Sequence, residues 1–191
     1  MAGTYPTTPE FQAINLKSVH NNLKSTTVSG RVQVRTIGGQ KWSFSAKYNP
    51  MTRAEFQPVF AFIASQQGML GAFGIVPPVV GYTSGTATGT ALANGGSGIG
   101  STTVAIDGIT GTLKAGDFVK FEHGKVYMLT ADRDGDGDIS IEPALVAAVA
   151  DDEAVTYNGV SFTMRLTNDV QSYSLSRYEY YTYEVDMEEV I

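Results

Sequence analysis

Residues 28–48 read VSGRVQVRTIGGQKWSFSAKY. Two alternating runs flank a glycine pair. In the first, Val28, Gly30, Val32 and Val34 fall on one face and Arg31, Gln33 and Arg35 on the other. In the second, Trp42, Phe44, Ala46 and Tyr48 oppose Lys41, Ser43, Ser45 and Lys47. A period of two marks a half-buried strand. Gly38-Gly39 is a turn signal, so the reading is an antiparallel hairpin turning at residues 37–40. Upstream, residues 11–17 place Ile14 and Leu16 on one face of another strand. Downstream comes the one convincing helical pattern. Thr52 and Glu55 have capping-box spacing, and Phe56, Val59, Phe60 and Ile63 form a single apolar stripe. A helix over about 52–67 is expected, stopping at Gly68. Pro58 has no N–H to give to a helix interior, which points to a looser first turn and a regular helix from Pro58.

After residue 75 the composition changes. Val76-Pro77-Pro78-Val79 is expected to be extended. Residues 81–101 hold seven glycines among Thr, Ser and Ala, the composition of a loose connection or of small flat strands. Short strands are expected at 102–106, 117–121, 125–130 and 139–142, with Asn158-Gly159 as a hairpin turn before residues 160–162. That spacing suggests a small barrel or sandwich. Residues 161–166 and 171–190 read as strands again. Tyr178, Tyr180, Tyr181 and Tyr183 put aromatics on both faces of the last stretch, as in a segment buried on both sides or exposed to a partner. The expected fold is mainly β. A β-sandwich with one helix takes residues 1–77 and 161–191, and a small β-barrel or sandwich at 78–160 is inserted in it.

The 191 residues include no Cys, which excludes a disulfide framework, a Cys zinc site and a thiolate nucleophile. With 42% hydrophobic residues the chain is not a disordered one. The net charge of −6 argues against a general nucleic-acid coat. It is unevenly spread: residues 1–75 carry seven basic and two acidic side chains, and residues 76–191 six basic and seventeen acidic ones. The longest apolar runs, such as residues 144–150, fall far short of the ~20 residues of a membrane helix. Residues 1–12 lack the pattern of a cleaved export signal. A soluble chain without membrane association is expected.

Several segments together resemble a group of tailed-bacteriophage virion proteins: TPEF at 8–11, SGRVQVR at 29–35, GQKWSF at 39–44, MTRAEF at 51–56, GDFVKF at 116–121, KVYM at 125–128, IEPAL at 141–145 and EVDMEEVI at 184–191. The resemblance runs over nearly the whole chain. It implies a structural component near the tail tip or baseplate, a distal tail or hub-like protein with a tail-tube-like fold. Such a protein is made in the host cytoplasm, resides in the virion, forms a ring (sixfold favoured) and contacts other tail and baseplate proteins. Genomic DNA would pass through the lumen without specific binding. The alternatives are a tail tube or head–tail connector component, or a calcium- or glycan-binding β-module.

No residue is assigned a catalytic role. Asp132, Asp134, Asp136 and Asp138 are the sharpest chemical feature. Asp at positions 1, 3 and 5 with Gly at 6 copies the first half of an EF-hand loop, but position 12 is Pro143 and the flanks read as strands. The four carboxylates are a candidate calcium site, set against the plainer reading of a solvated acidic turn; no other cofactor is expected. His20 and His123 lie apart, without the partners of a zinc site or a triad. Residues 95–100 are glycine-rich but lack the Lys and following helix of a phosphate loop. The basic strand face of Arg31, Arg35, Lys41 and Lys47 suits a contact with Glu184, Asp186 and Glu188 of a neighbouring subunit, where opposite charges set register.

Overall fold

The structure, a computed structural model, describes residues 3–190; Ile191, which ends the last of the segments quoted above, lies outside them. The chain is mainly β with one α-helix. It divides into two compact units. One comprises the residues up to Gly74 together with those from Met164 on, and the other is Ile75–Thr163.

The first unit is built on a six-stranded sheet in the order Gly3–Thr4, Ala72–Ile75, Phe162–Leu166, Glu184–Glu189, Lys41–Tyr48, Phe11–Val19. One face is apolar and buried: Trp42, Phe44, Ala46 and Tyr48 alternate inward as their period requires, beside Val185 and Met187. The helix Arg53–Ser65 buries Phe56, Val59 and Ile63. Phe56 stacks on Tyr181 at 4.6 Å between ring centroids, and Phe62 meets Phe73 edge-on at 5.5 Å.

The hairpin expected between residues 28–36 and 41–48 does not form. Val32–Thr36 pairs with Asn22–Thr26, and Lys41–Tyr48 pairs with Phe11–Val19. Residues 11–48 are one long hairpin whose tip is at 27–31. There the Thr27 N–H bonds to the Arg31 carbonyl at 2.9 Å, the Arg31 N–H bonds back to Thr27 Oγ1 at 3.1 Å, and Gly30 has φ +79°. Gly38 and Gly39, at φ +83° and +72°, bend the returning strand opposite Asn21, whose side-chain amide donates to both their carbonyls. Left-handed glycines permit a bend as readily as a turn. Which of the two they make is decided by the distant strand that pairs across them.

The helix also differs from expectation, for it is regular from Arg53. Glu55 accepts hydrogen bonds from the Thr52 N–H and hydroxyl, both at 2.8 Å, which anchors the first turn. Pro58 sits inside the helix. The carbonyl it leaves without a helical donor, that of Ala54, belongs to an exposed residue and is open to water. Gln67 and Gly68, both left-handed, end the helix.

The second unit is a small barrel. Its strands run in the order Phe118–Lys120, Val126–Leu129, Gly137–Glu142, Thr103–Thr110, Thr88–Ala93, Ala154–Val155. The two ends then meet: Lys120 and Thr156 exchange backbone hydrogen bonds of 2.8 and 2.9 Å. Closure removes most of the free edge of the sheet. Val104, Ile106, Leu113, Tyr127, Leu129 and Ile139 fill the interior. Two local expectations fail here. Residues 78–80 turn instead of extending, with Val79 at φ +66° and the Gly81 N–H bonded to the Pro77 carbonyl. Asn158-Gly159 does not close a hairpin, because Phe162–Leu166 leaves to pair with Glu184–Glu189.

One half-buried histidine is expected to make the barrel sensitive to pH. His123 Nε2 lies 2.8 Å from the Tyr127 hydroxyl, which also accepts the Val146 N–H, and His123 Nδ1 is buried without a partner. Burial lowers the imidazole below its ordinary range, against the opposing pull of the Glu153 carboxylate. The folded state therefore resists a proton that the unfolded chain accepts. Barrel stability is expected to be full above about pH 6.5 and to fall as the pH drops below it. Melting curves at stepped pH check this, and His123→Phe is expected to flatten the decline.

Candidate functional site

The far half of the long hairpin, the arm, is the most exposed element of the first unit. All ten residues of Asn22–Thr26 and Val32–Thr36 are exposed. Their register distributes the side chains over two faces. On one, Leu23 stands opposite Arg35 and Ser25 opposite Gln33, with Ile37 at the base beside Asn21. On the other, Lys24 stands opposite Val34 and Thr26 opposite Val32. Leu23, Val32, Val34 and Ile37 each keep more than half of their surface in contact with solvent. A two-stranded ribbon without a buried face is marginal in water, and exposed aliphatics grouped in this way mark an interaction surface. Lys24, Arg31 and Arg35 add three cations, and residues 21–37 contain no carboxylate.

A second exposed ribbon, the tyrosine hairpin, joins Ser174–Leu175 to Tyr181–Thr182. Its turn is closed by the Ser176 N–H on the Tyr180 carbonyl at 2.9 Å and has Glu179 at φ +64°. The tyrosines divide. Tyr181 lies on Phe56, and Tyr183 is buried and donates to Gln171 Oε1 at 2.8 Å, its hydroxyl pKa raised by that burial. Tyr173 packs on Phe56 and Phe60 at 4.8 and 5.1 Å and stays half exposed, and Tyr178 and Tyr180 face solvent. Among the described residues 17 large hydrophobic side chains are exposed, and nine of them lie in the two ribbons and their flanks, five at 23–37 and four at 173–180.

The charged residues singled out in the sequence separate into two groups. Lys41, Lys47, Glu184, Asp186 and Glu188 lie together on the polar face of the sheet, in one chain. Glu184 stands opposite Lys47, Asp186 opposite Ser45 and Glu188 opposite Ser43. Lys41 Nζ reaches Glu188 at 3.9 Å, and Ser45 donates to Glu184 at 3.2 Å. Opposite charges expected to meet between subunits thus already meet inside the chain. Arg31 and Arg35 are on the arm, away from this face. Leu23 and Ile37 were not picked from sequence; Val32 and Val34 were read there as one strand face, and Tyr178 and Tyr180 as part of a segment buried on both sides or exposed to a partner. Ser29-Gly30, a turn dipeptide, was the available signal.

The acidic loop is tied down by its own carboxylates. Asp132 accepts from the Ala115 N–H at 2.9 Å and from Lys114 Nζ at 2.7 Å. Asp134 accepts from the Thr112 hydroxyl at 3.0 Å, and Asp136 from the Ile109 N–H at 3.0 Å. Successive Asp side chains therefore reach different donors on the neighbouring hairpin, and Arg133–Asp134 pairs with Thr112–Leu113 as a short strand. Among the described residues, no group of three or more His, Cys, Asp or Glu side chains is placed to hold a metal ion. With these carboxylates satisfied by protein donors, a chelator is expected to leave the melting temperature unchanged; a fall on calcium removal, restored by added calcium, would point to a bound ion. No family model matches the chain, and no curated protein matches it.

Proposed function

We propose that this chain is a structural component of a tailed-phage virion, forming a ring at the tail tip or baseplate as a distal tail or hub protein and connecting the tail tube to other tail-tip proteins. It works by assembly and uses no catalytic residue. The arm carries this reading. Residues 28–35 have the alternation of a strand with one buried face, yet the folded chain leaves both faces of Val32–Thr36 in solvent. A pattern suited to burial on an element that one copy cannot bury suits a surface covered by other copies. The resemblance of the segments at 29–35, 39–44, 116–121 and 184–191 to phage virion proteins supplies the setting.

Mass in solution, combined with negative-stain imaging of the full chain, tests the reading. Discrete multiples of 20.4 kDa and closed rings are expected. A chain that stays monomeric at high concentration, and that joins no ring when mixed with other proteins of its particle, would overturn it.

A further inference from the structure

We infer that the arm of one copy docks on the tyrosine hairpin of a second copy of this chain, which is the contact linking neighbours in the ring; the inference rests on the assembly reading above. The two ribbons hold most of the exposed large apolar side chains, and they are chemically unlike. The arm is aliphatic and cationic, with Leu23, Val32, Val34 and Ile37 among Lys24, Arg31 and Arg35. The hairpin is aromatic. It presents Leu175, Tyr178 and Tyr180, with Tyr173 half exposed beside the helix, and its two charges, Arg177 and Glu179, balance.

The face of the arm set against the hairpin is the one that carries Val32, Val34 and Lys24; Leu23 and Ile37 lie on its opposite face. Aliphatic side chains laid on tyrosine rings remove apolar area from water on both sides. Lys and Arg are attracted to the faces of tyrosine rings. The hairpin sets no net positive charge against the three arm cations. An arm set against an arm would instead bring three cations against three, with no carboxylate between them. Two unlike surfaces on one molecule make a head-to-tail contact, which repeats from copy to copy and closes into a ring when the rotation allows.

Two full-length variants test the pairing. One carries Val34→Asp with Arg35→Glu on the arm, and the other Tyr178→Asp with Tyr180→Asp on the hairpin. All four positions are exposed, so circular dichroism and melting should match the parent chain. By sedimentation velocity each variant alone is expected to self-associate at least about tenfold more weakly than the parent chain. An equimolar mixture is expected to give dimers but no rings, because the intact arm of one variant meets the intact hairpin of the other and the chain of contacts stops there. If the parent chain forms rings while the mixture stays monomeric, or while the hairpin variant assembles normally, the pairing is wrong and the assembly reading stands. If the parent chain never associates, both fail. A photo-crosslinker at position 34 in an otherwise unaltered, isotopically mixed chain gives a second measurement. Links to residues 173–180 of the other copy are expected, and links only to other regions would overturn the pairing.

Discussion

Replacing residues 22–36 with an Asn-Gly turn between Asn21 and Ile37 is expected to leave the chain folded and abolish its assembly. The junction is prepared for this. The Ile37 N–H bonds to the Asn21 carbonyl at 2.8 Å, so the hairpin has a closing pair below the cut. Asn-Gly is a favoured two-residue connection for such a pair. None of the ten removed ladder residues is buried, so the isolated chain loses little. Surface changes of this kind shift stability by roughly ±0.5 kcal/mol. The assembled state loses Leu23, Val32 and Val34 together with all three arm cations. Melting temperature and solution mass, measured on the same sample, separate the two effects. Unchanged rings in the shortened chain would remove the arm from the interface, and a collapsed melting curve would show that the arm supports the sheet itself.

Asp117→Ala is expected to destabilise the barrel by about 3 kcal/mol. Asp117 is 4% exposed, and its carboxylate accepts four hydrogen bonds: from the Thr83 hydroxyl at 2.6 Å, the Ser84 N–H at 2.8 Å, the Ser84 hydroxyl at 2.7 Å and the Lys114 N–H at 2.9 Å. It joins the segment that enters the barrel to the turn that precedes Phe118–Lys120. Alanine strands two backbone N–H groups in a part-buried setting, and stranding a donor costs more than the bond itself contributes. For a unit of this size the melting temperature should fall by about 12–24 °C. Asp117→Asn should cost less, since its single amide oxygen still accepts part of the set.

The same residue predicts an acid response. Burial raises the Asp117 pKa, but the bonds from Thr83, Lys114 and Ser84 outweigh it and hold the carboxyl below its ordinary 3.8. Its contribution is therefore complete above about pH 4 and is lost as the pH falls through the lower folded value. Acid titration of barrel melting checks this. The alanine variant should show a shallower loss below pH 4 than the parent chain.

The elements that could be read from sequence share one property: each is specified by residues close together in the chain. The alternation of residues 41–48 names the buried face, and Trp42, Phe44, Ala46 and Tyr48 are all buried there. Thr52 and Glu55 mark the helix start because the cap is a contact across three residues. The barrel strands at 103–110, 118–120, 126–129 and 137–142 stand within a few residues of the expected runs, because Asp-Gly and Gly punctuate them. The candidate surface was harder to see. Leu23 is an ordinary residue in sequence and Tyr178 reads equally well as buried or as exposed to a partner; only the pairing of strands shows that neither is covered.

By itself, then, the sequence determined the mainly β class, the single helix with its capped start, the inward face of the central strand and the turn-rich barrel segment. Tertiary structure alone decided which strands pair. Residues 32–36 could turn back through Gly38-Gly39 onto 41–48, or lie against 22–26; both satisfy the same alternation. Register and partner depend on the whole sheet, where Lys41–Tyr48 is claimed on one side by Phe11–Val19 and on the other by Glu184–Glu189. With both edges of that strand taken, the run before it has no place in the sheet and projects as the arm. That same pairing sets Lys41 beside Glu188 inside one chain, and leaves Arg31 and Arg35 without a carboxylate in their own ribbon.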